Sequence, residues 1–150
     1  MVENPPENMP RITPYLHYHD VAAAISWLQR AFGFTERFSM PDAERGIIHA
    51  EMTYAEGVIM LGPVSEEQKG LSPRDLSGVN QSLYIYVNNL NRHYIQAKEA
   101  KADIVMEPET MFWGDRIYAA LDLEGHQWTF AQHVEDVSPE AMQTYARAGC

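Results

Sequence analysis

Residues 122–133 read DLEGHQWTFAQH. A glycine turn leads into a strand, HQWTFAQH (126–133), whose alternation puts Trp128 and Phe130 on one face and Gln127, Thr129 and Ala131 on the other. The two large rings belong in a core beneath helices, and the smaller set is left to line an open face. Working outward, IYAALDL (117–123), ADIVMEP (102–108) and SLYIYV (82–87) read as further strands. Asn89 is placed to cap a helix carrying Leu90, Tyr94 and Ala97 on one side.

The first half repeats this order. Residues 11–19, RITPYLHYH, are aromatic and extended, and Pro14 excludes a helix interior. Asp20 is a natural N-cap; Val21, Ile25, Leu28 and Phe32 then follow at spacings of one helical face. Gly33 stands where a left-handed C-terminal residue is needed, with Phe34 able to fold back on the last turn. TERFSM (35–40), GIIHAEMTY (46–54) and VIML (58–61) are the next strands. The caps Asp20 and Asn89, and the turn pairs Glu56-Gly57 and Glu124-Gly125, recur about 70 residues apart, which points to a duplicated unit.

The expected organisation is a flexible leader at 1–10 and a single domain at 11–133. That domain comprises modules 11–63 and 79–133, joined by a Ser-, Gly- and charge-rich linker at 64–78. A helical tail at 134–150 starts with Ser138 as cap and Pro139 at the first helical position, and Met142, Tyr145 and Ala146 form its apolar side.

The chain has 150 residues, 45 % of them hydrophobic and 11 % aromatic, enough for a real core. A net charge of −10 argues against nucleic acid as a partner, since a phosphate backbone would repel it. Apolar runs are too short for a membrane span, and the acidic, proline-bearing N-terminus does not resemble a signal peptide. The single cysteine, Cys150, cannot form an intrachain disulfide, so a cytoplasmic location is the default expectation.

A doubled βαβββ unit, with Trp113-Gly114-Asp115-Arg116, the Asp122 to Trp128 turn-and-strand and the Arg30 to Phe34 helix end, resembles the vicinal oxygen chelate superfamily of glyoxalases, bleomycin resistance proteins and extradiol dioxygenases. The resemblance covers residues 11 to 133. It implies an α+β fold: two βαβββ modules form a curved, mostly antiparallel sheet around a cleft, commonly in a homodimer. Metal-dependent relatives carry His, Gln or Glu at four strand positions, which fall here on Thr13, Met60, Ser82 and Thr129. A catalytic divalent ion needs about three good protein donors. This set does not supply them, so neither a metal nor another cofactor is expected.

If Thr13 faces the cleft as the resemblance implies, so do Tyr15 and His17, with Ser82, Tyr84 and Tyr86 from the second module. Tyr15, Met60, Tyr84, Tyr86, Trp113 and Thr129 are the candidate ligand-binding residues, because pockets for flat organic molecules are rich in aromatic side chains. His17, His49 and Glu51 are the candidate catalytic residues, as an acid–base group or an unconventional two-histidine, one-carboxylate set. Their orientation depends on a turn. A two-residue turn at Glu56-Gly57 pairs Thr53 with Met60 and aims His49 and Glu51 at the cleft; a three-residue loop, Ala55-Glu56-Gly57, reverses them. The slip in half-repeat spacing between the turn glycines and the Met60–Thr129 pair favours the two-residue turn. Asp115 and Arg116 read as a surface pair or as residues that order the loop, His126 as exposed or locally satisfied, His133 as able to reach the tail, and His19 and His93 as without special role.

The expected function is metal-free binding of a small aromatic or hydrophobic molecule. The alternatives are a glyoxalase-like lyase, isomerase or dioxygenase, and an interaction module with a vestigial cleft.

Overall fold

The computed structural model describes residues 1–149; Cys150, and the expectation attached to it, lie outside them. The chain divides into two compact units, Met1–Val79 with Leu123–His126, and Asn80–Asp122 with Gln127–Cys150.

Unit 1 runs β1 (Tyr15–Tyr18), α1 (Val21–Phe32), β2 (Thr35–Asp42), β3 (Gly46–Tyr54) and β4 (Gly57–Pro63). Its sheet has the order β1-β4-β3-β2, with β1 parallel to β4 and the other pairs antiparallel. Unit 2 repeats the plan with β5 (Ser82–Tyr86), α2 (Leu90–Glu99), β6 (Asp103–Thr110), β7 (Asp115–Leu121) and β8 (Gln127–His133), order β5-β8-β7-β6, and adds α3 (Pro139–Gly149). The fold is therefore α+β: two open four-stranded mixed sheets and three helices.

The helix ends follow from their residues. The Asp20 side chain accepts from the Ala23 amide, and Asn89 from the Arg92 amide, satisfying donors that the first turn leaves unpaired. Gly33, at φ 79°, lets its own amide reach Gln29 and the Phe34 amide reach Leu28, which closes α1. Leu28 and Phe32 are fully buried, as are Tyr18 and Leu61 on the sheet beneath. In unit 2 Trp128 and Phe130 are fully buried, with Tyr118 and Leu90. Each such side chain contributes on the order of 2 kcal/mol through removal from water.

Three local readings are corrected. The unit 1 hairpin turns at Ala55-Glu56, since Tyr54 pairs with Gly57, and Ala55 takes the left-handed conformation at φ 50°. Met60 consequently faces Glu51 instead of Thr53. This is a slip of two, and a slip of two keeps every side chain on its face. The second hairpin is longer, with Leu121 pairing with Gln127, so β8 starts at Gln127 and not at His126. On α2 the buried face is Leu90, His93 and Ala97; Tyr94 is only half-buried, its ring 5.2 Å from Tyr118.

Residues 64–78 are held at several points. Ser65 and Gly70 form a bridge, Pro73–Asp75 form a 3-10 turn, and Ser72 is fully buried. The reason is Glu124, from the 123–126 segment of the same unit. Its carboxylate accepts from the Ser72 hydroxyl (2.6 Å) and from the His19 and Asp20 amides (2.7 and 3.0 Å), with Arg74 at 3.9 Å. Burial works to raise the Glu124 pKa, but these donors together hold it below the ordinary carboxylate value.

Candidate functional site

In unit 1, β1 alternation buries Leu16 and Tyr18 toward the helix and leaves Tyr15 and His17 on the other face. Tyr15 lies beside Met60, which lies beside Glu51, and Met40 and Phe38 lie opposite His49 and Glu51. One sheet face therefore carries Tyr15, His17, Met60, His49, Glu51, Phe38 and Met40. Tyr15, Phe38 and Met40 are each more than two-fifths exposed.

The Tyr15 hydroxyl is 3.1 Å from His49 Nδ1, and His49 Nε2 is 3.5 Å from Glu51. A carboxylate only accepts, so Nε2 carries hydrogen, and with neutral His49 the phenol donates to Nδ1. Arg37 Nε holds the other Glu51 oxygen at 3.4 Å. His17 stands apart from this chain: its Nδ1 donates to the Pro63 carbonyl at 3.3 Å. Tyr15 and His17 border a cavity of about 670 Å³ with Arg45, Ile48, Pro63 and Gln68.

Unit 2 presents a different constellation. Tyr84 lies beside Thr129 and Tyr86 beside Ala131, with Trp113 on the turn before β7. The Tyr84 and Tyr86 hydroxyls donate to the same Asp115 oxygen at 2.7 and 2.8 Å, and His133 Nδ1 donates to the other at 2.7 Å. His133 Nε2 reaches Asp136 at 2.7 Å. Trp113 Nε1 donates to the Tyr84 oxygen at 3.2 Å. Behind it, Phe112 lies edge-on to Trp113 and is stacked by Tyr145 of α3 at 4.7 Å.

Burial works to raise the Asp115 pKa, but the hydrogen bonds from Tyr84, His133 and Tyr86 outweigh it and hold the carboxyl below its ordinary range. Burial, reinforced by the bond to Asp115, pushes the Tyr84 phenol up to about 12. The bonds to Asp136 and Asp115 raise His133.

Two readings are overturned, the surface pairing of Asp115 with Arg116 and the local satisfaction of His126, while His19 and His93 have structural partners. Asp115 and Arg116 are no surface pair: Asp115 is 3 % exposed and binds Tyr84, Tyr86 and His133, while Arg116 donates to Asn91. His93 is buried, 2.6 Å from the Tyr118 hydroxyl. His19 bonds Asp75, and His126 Nε2 bonds the His17 carbonyl (2.9 Å), a partner remote in sequence. Sequence reasoning also missed Arg37 and Glu124. The one signal for Asp115 was its position at the strand start, two residues after Trp113; nothing local marked its burial.

The four positions that resemblance assigns to a metal carry Thr13, Met60, Ser82 and Thr129. Two threonines, a serine and a thioether do not fit a divalent ion, which takes imidazole, carboxylate or thiolate donors. Of their register neighbours, Tyr15 and Tyr84 are phenols, the latter engaged with Asp115, and the one carboxylate, Glu51 beside Met60, is held by Arg37 and His49. Among the described residues no group of three or more His, Cys, Asp or Glu is placed to hold a metal, His17, His49 and Glu51 included.

Comparison with known proteins agrees with this architecture. The profile of the Glyoxalase/Bleomycin resistance protein/Dioxygenase superfamily matches residues 12–130, and the chain belongs to that superfamily. An uncharacterized protein of Mycobacterium bovis is 28 % identical over 137 residues, covering 89 % of this chain and 90 % of its own. The crystal structure of TioX from Micromonospora sp. ML1 matches with a TM-score of 0.67 and 30 % identity, over 83 % of this chain and 99 % of that one. A superfamily member from Sphaerobacter thermophilus matches in fold, with a TM-score of 0.66 and 19 % identity over 82 % and 98 % of the two chains. Among the described residues no helix is long and apolar enough to cross a membrane.

Proposed function

We propose that the protein binds a small, flat, partly apolar organic molecule, and does so without a divalent ion. The observation that carries this reading is the open aromatic face of unit 2. Tyr84 and Tyr86 are 45 % and 58 % exposed, while Trp128 and Phe130 on the opposite face are fully buried. Exposed apolar surface of this kind is retained where something binds. The missing donor set at Thr13, Met60, Ser82 and Thr129 supports the metal-free part. Trp113 is half-buried beside these rings whereas Trp27 and Trp128 are buried, so its fluorescence is the natural reporter. Titration with a panel of soluble one- and two-ring aromatic compounds is expected to quench it with saturable binding. Trp113→Leu should remove that quenching, and Tyr86→Leu should weaken binding about tenfold. A panel that leaves the folded protein's fluorescence and melting temperature unchanged would sink the reading.

A second reading, acid–base catalysis, is favoured by the Tyr15–His49–Glu51 chain, in which a half-exposed phenol is backed by an imidazole and a carboxylate held by Arg37. His17 would then act separately or as a contact for the ligand. Turnover abolished by His49→Gln and retained after exhaustive chelation would establish it.

A further inference from the structure

The polar hydrogens of the unit 2 cluster are all turned inward. Tyr84 gives its hydroxyl hydrogen to Asp115 and receives that of Trp113; Tyr86 also gives its own to Asp115. Both His133 nitrogens lie 2.7 Å from carboxylate oxygens, of Asp115 and Asp136. Carboxylates only accept, so both nitrogens carry hydrogen and the ring is an imidazolium. With Asp115 and Asp136 ionised, His133 charged and the phenols neutral, the cluster keeps one net negative charge. What it offers outward is ring surface and the remaining Tyr86 lone pair. The Tyr84 and Tyr86 rings stand 5.6 Å apart at 67°, a corner with two half-exposed walls. Arg116, next to Asp115 in sequence, points to the other side of the strand and donates to Asn91 (3.3 Å). The whole chain carries a net charge of −10.

We propose that Tyr84, Tyr86 and Trp113, backed by the Asp115 carboxylate, form a cation–π site for an organic cation, either a quaternary ammonium or an N-alkylated heteroaromatic. The proposal rests on the small-molecule reading above and narrows it to a charge class. A ring face attracts a cation through its quadrupole, and a phenol whose hydrogen is held by a carboxylate is richer in electron density than a free one. A neutral aromatic would gain only contact area. An anion would meet the Asp115 charge without an available donor in the cluster, and is disfavoured.

The test compares a matched pair on the intact protein at neutral pH: N-methylquinolinium and uncharged quinoline, by calorimetry and Trp113 fluorescence. The cation is expected to bind about tenfold more tightly. Asp115→Asn should lower cation affinity more than quinoline affinity and so reduce that preference. Should Asp115→Asn fail to fold, Tyr86→Leu, which keeps the carboxylate, should lower cation affinity more than quinoline affinity. Added salt should weaken only the cation. Equal affinity for the pair, or cation binding indifferent to Tyr86→Leu and Trp113→Leu, overturns the cation site and leaves small-molecule binding standing. Failure of both probes to bind folded wild-type protein counts against both.

Discussion

Each unit holds one carboxylate 3 % exposed, and the two are used in opposite ways. Glu124 in unit 1 is met by backbone amides, a serine hydroxyl and a distant arginine, all belonging to the framework that ties residues 72–75 and the start of α1 to the 123–126 turn. Asp115 in unit 2 is met by two exposed tyrosines and a half-exposed histidine, side chains that face outward. The same electrostatic requirement, a buried charge fully supplied with donors, builds a scaffold in one case and fixes ring positions in the other. The tyrosines make the contrast plainer. Tyr15 and Tyr84 hold matching places beside Met60 and Thr129, yet one phenol meets an imidazole and the other a carboxylate.

The largest effect is expected from Glu124→Ala. Removing a fully buried charge acceptor strands two amides and a hydroxyl, and a stability loss of about 3 kcal/mol is expected in urea unfolding. The Tyr84–Tyr86 face should bind as before in the folded fraction. A loss of ligand affinity as large as that of Asp115→Asn would erase the distinction between scaffold and site.

A pH series sharpens the contrast. His133 has a raised folded pKa, so its contribution is complete below the ordinary value of 6.5 and fades as pH climbs through the raised one. Asp115 and Glu124 have lowered folded pKa values, so theirs are complete above the ordinary 3.8 and 4.5 and fade as pH falls through the lowered ones. Thermal melts are expected to plateau between these limits. His133→Gln should remove the decline above 6.5, weaken the acidic decline due to Asp115, which loses a donor, and spare the one due to Glu124. NMR titration of the His133 ring should place its midpoint above 6.5. A midpoint at or below that value would contradict the double carboxylate pairing.

The smallest effect is expected from Gly62→Ala. A Cβ there would sit 2.6 Å from the Tyr15 hydroxyl, so the ring must move off His49, at a stability cost of about 1 kcal/mol. Chemical shifts of Tyr15 and His49 should change while those of Tyr84 and Tyr86 do not.

The superfamily was legible because its marks are local: Asp20 and Gly33 around α1, Asn89 before α2, and the alternation that buries Trp128 and Phe130. The facing of His49 and Glu51 was also readable, although the turn lies at Ala55-Glu56, because an error of two residues preserves parity. The Tyr15–His49 and Arg37–Glu51 contacts were not readable, since each joins strands whose side-chain reach no spacing encodes. Asp115 was misread for the same reason. A lone aspartate beside an arginine suggests a surface pair, and only the register of β5 against β8, and of β7 against β8, brings Tyr84, Tyr86 and His133 to it.

By itself, then, the sequence determined two βαβββ modules, their helix caps, their buried faces and the poverty of metal donors at four positions, because all of these depend on residue type and short-range period. The tertiary structure alone decided which acids are buried and what holds them. A carboxylate's state depends on the donors that strands and loops far apart in the chain deliver to it, and neither burial nor those donors leave a trace in neighbouring residues.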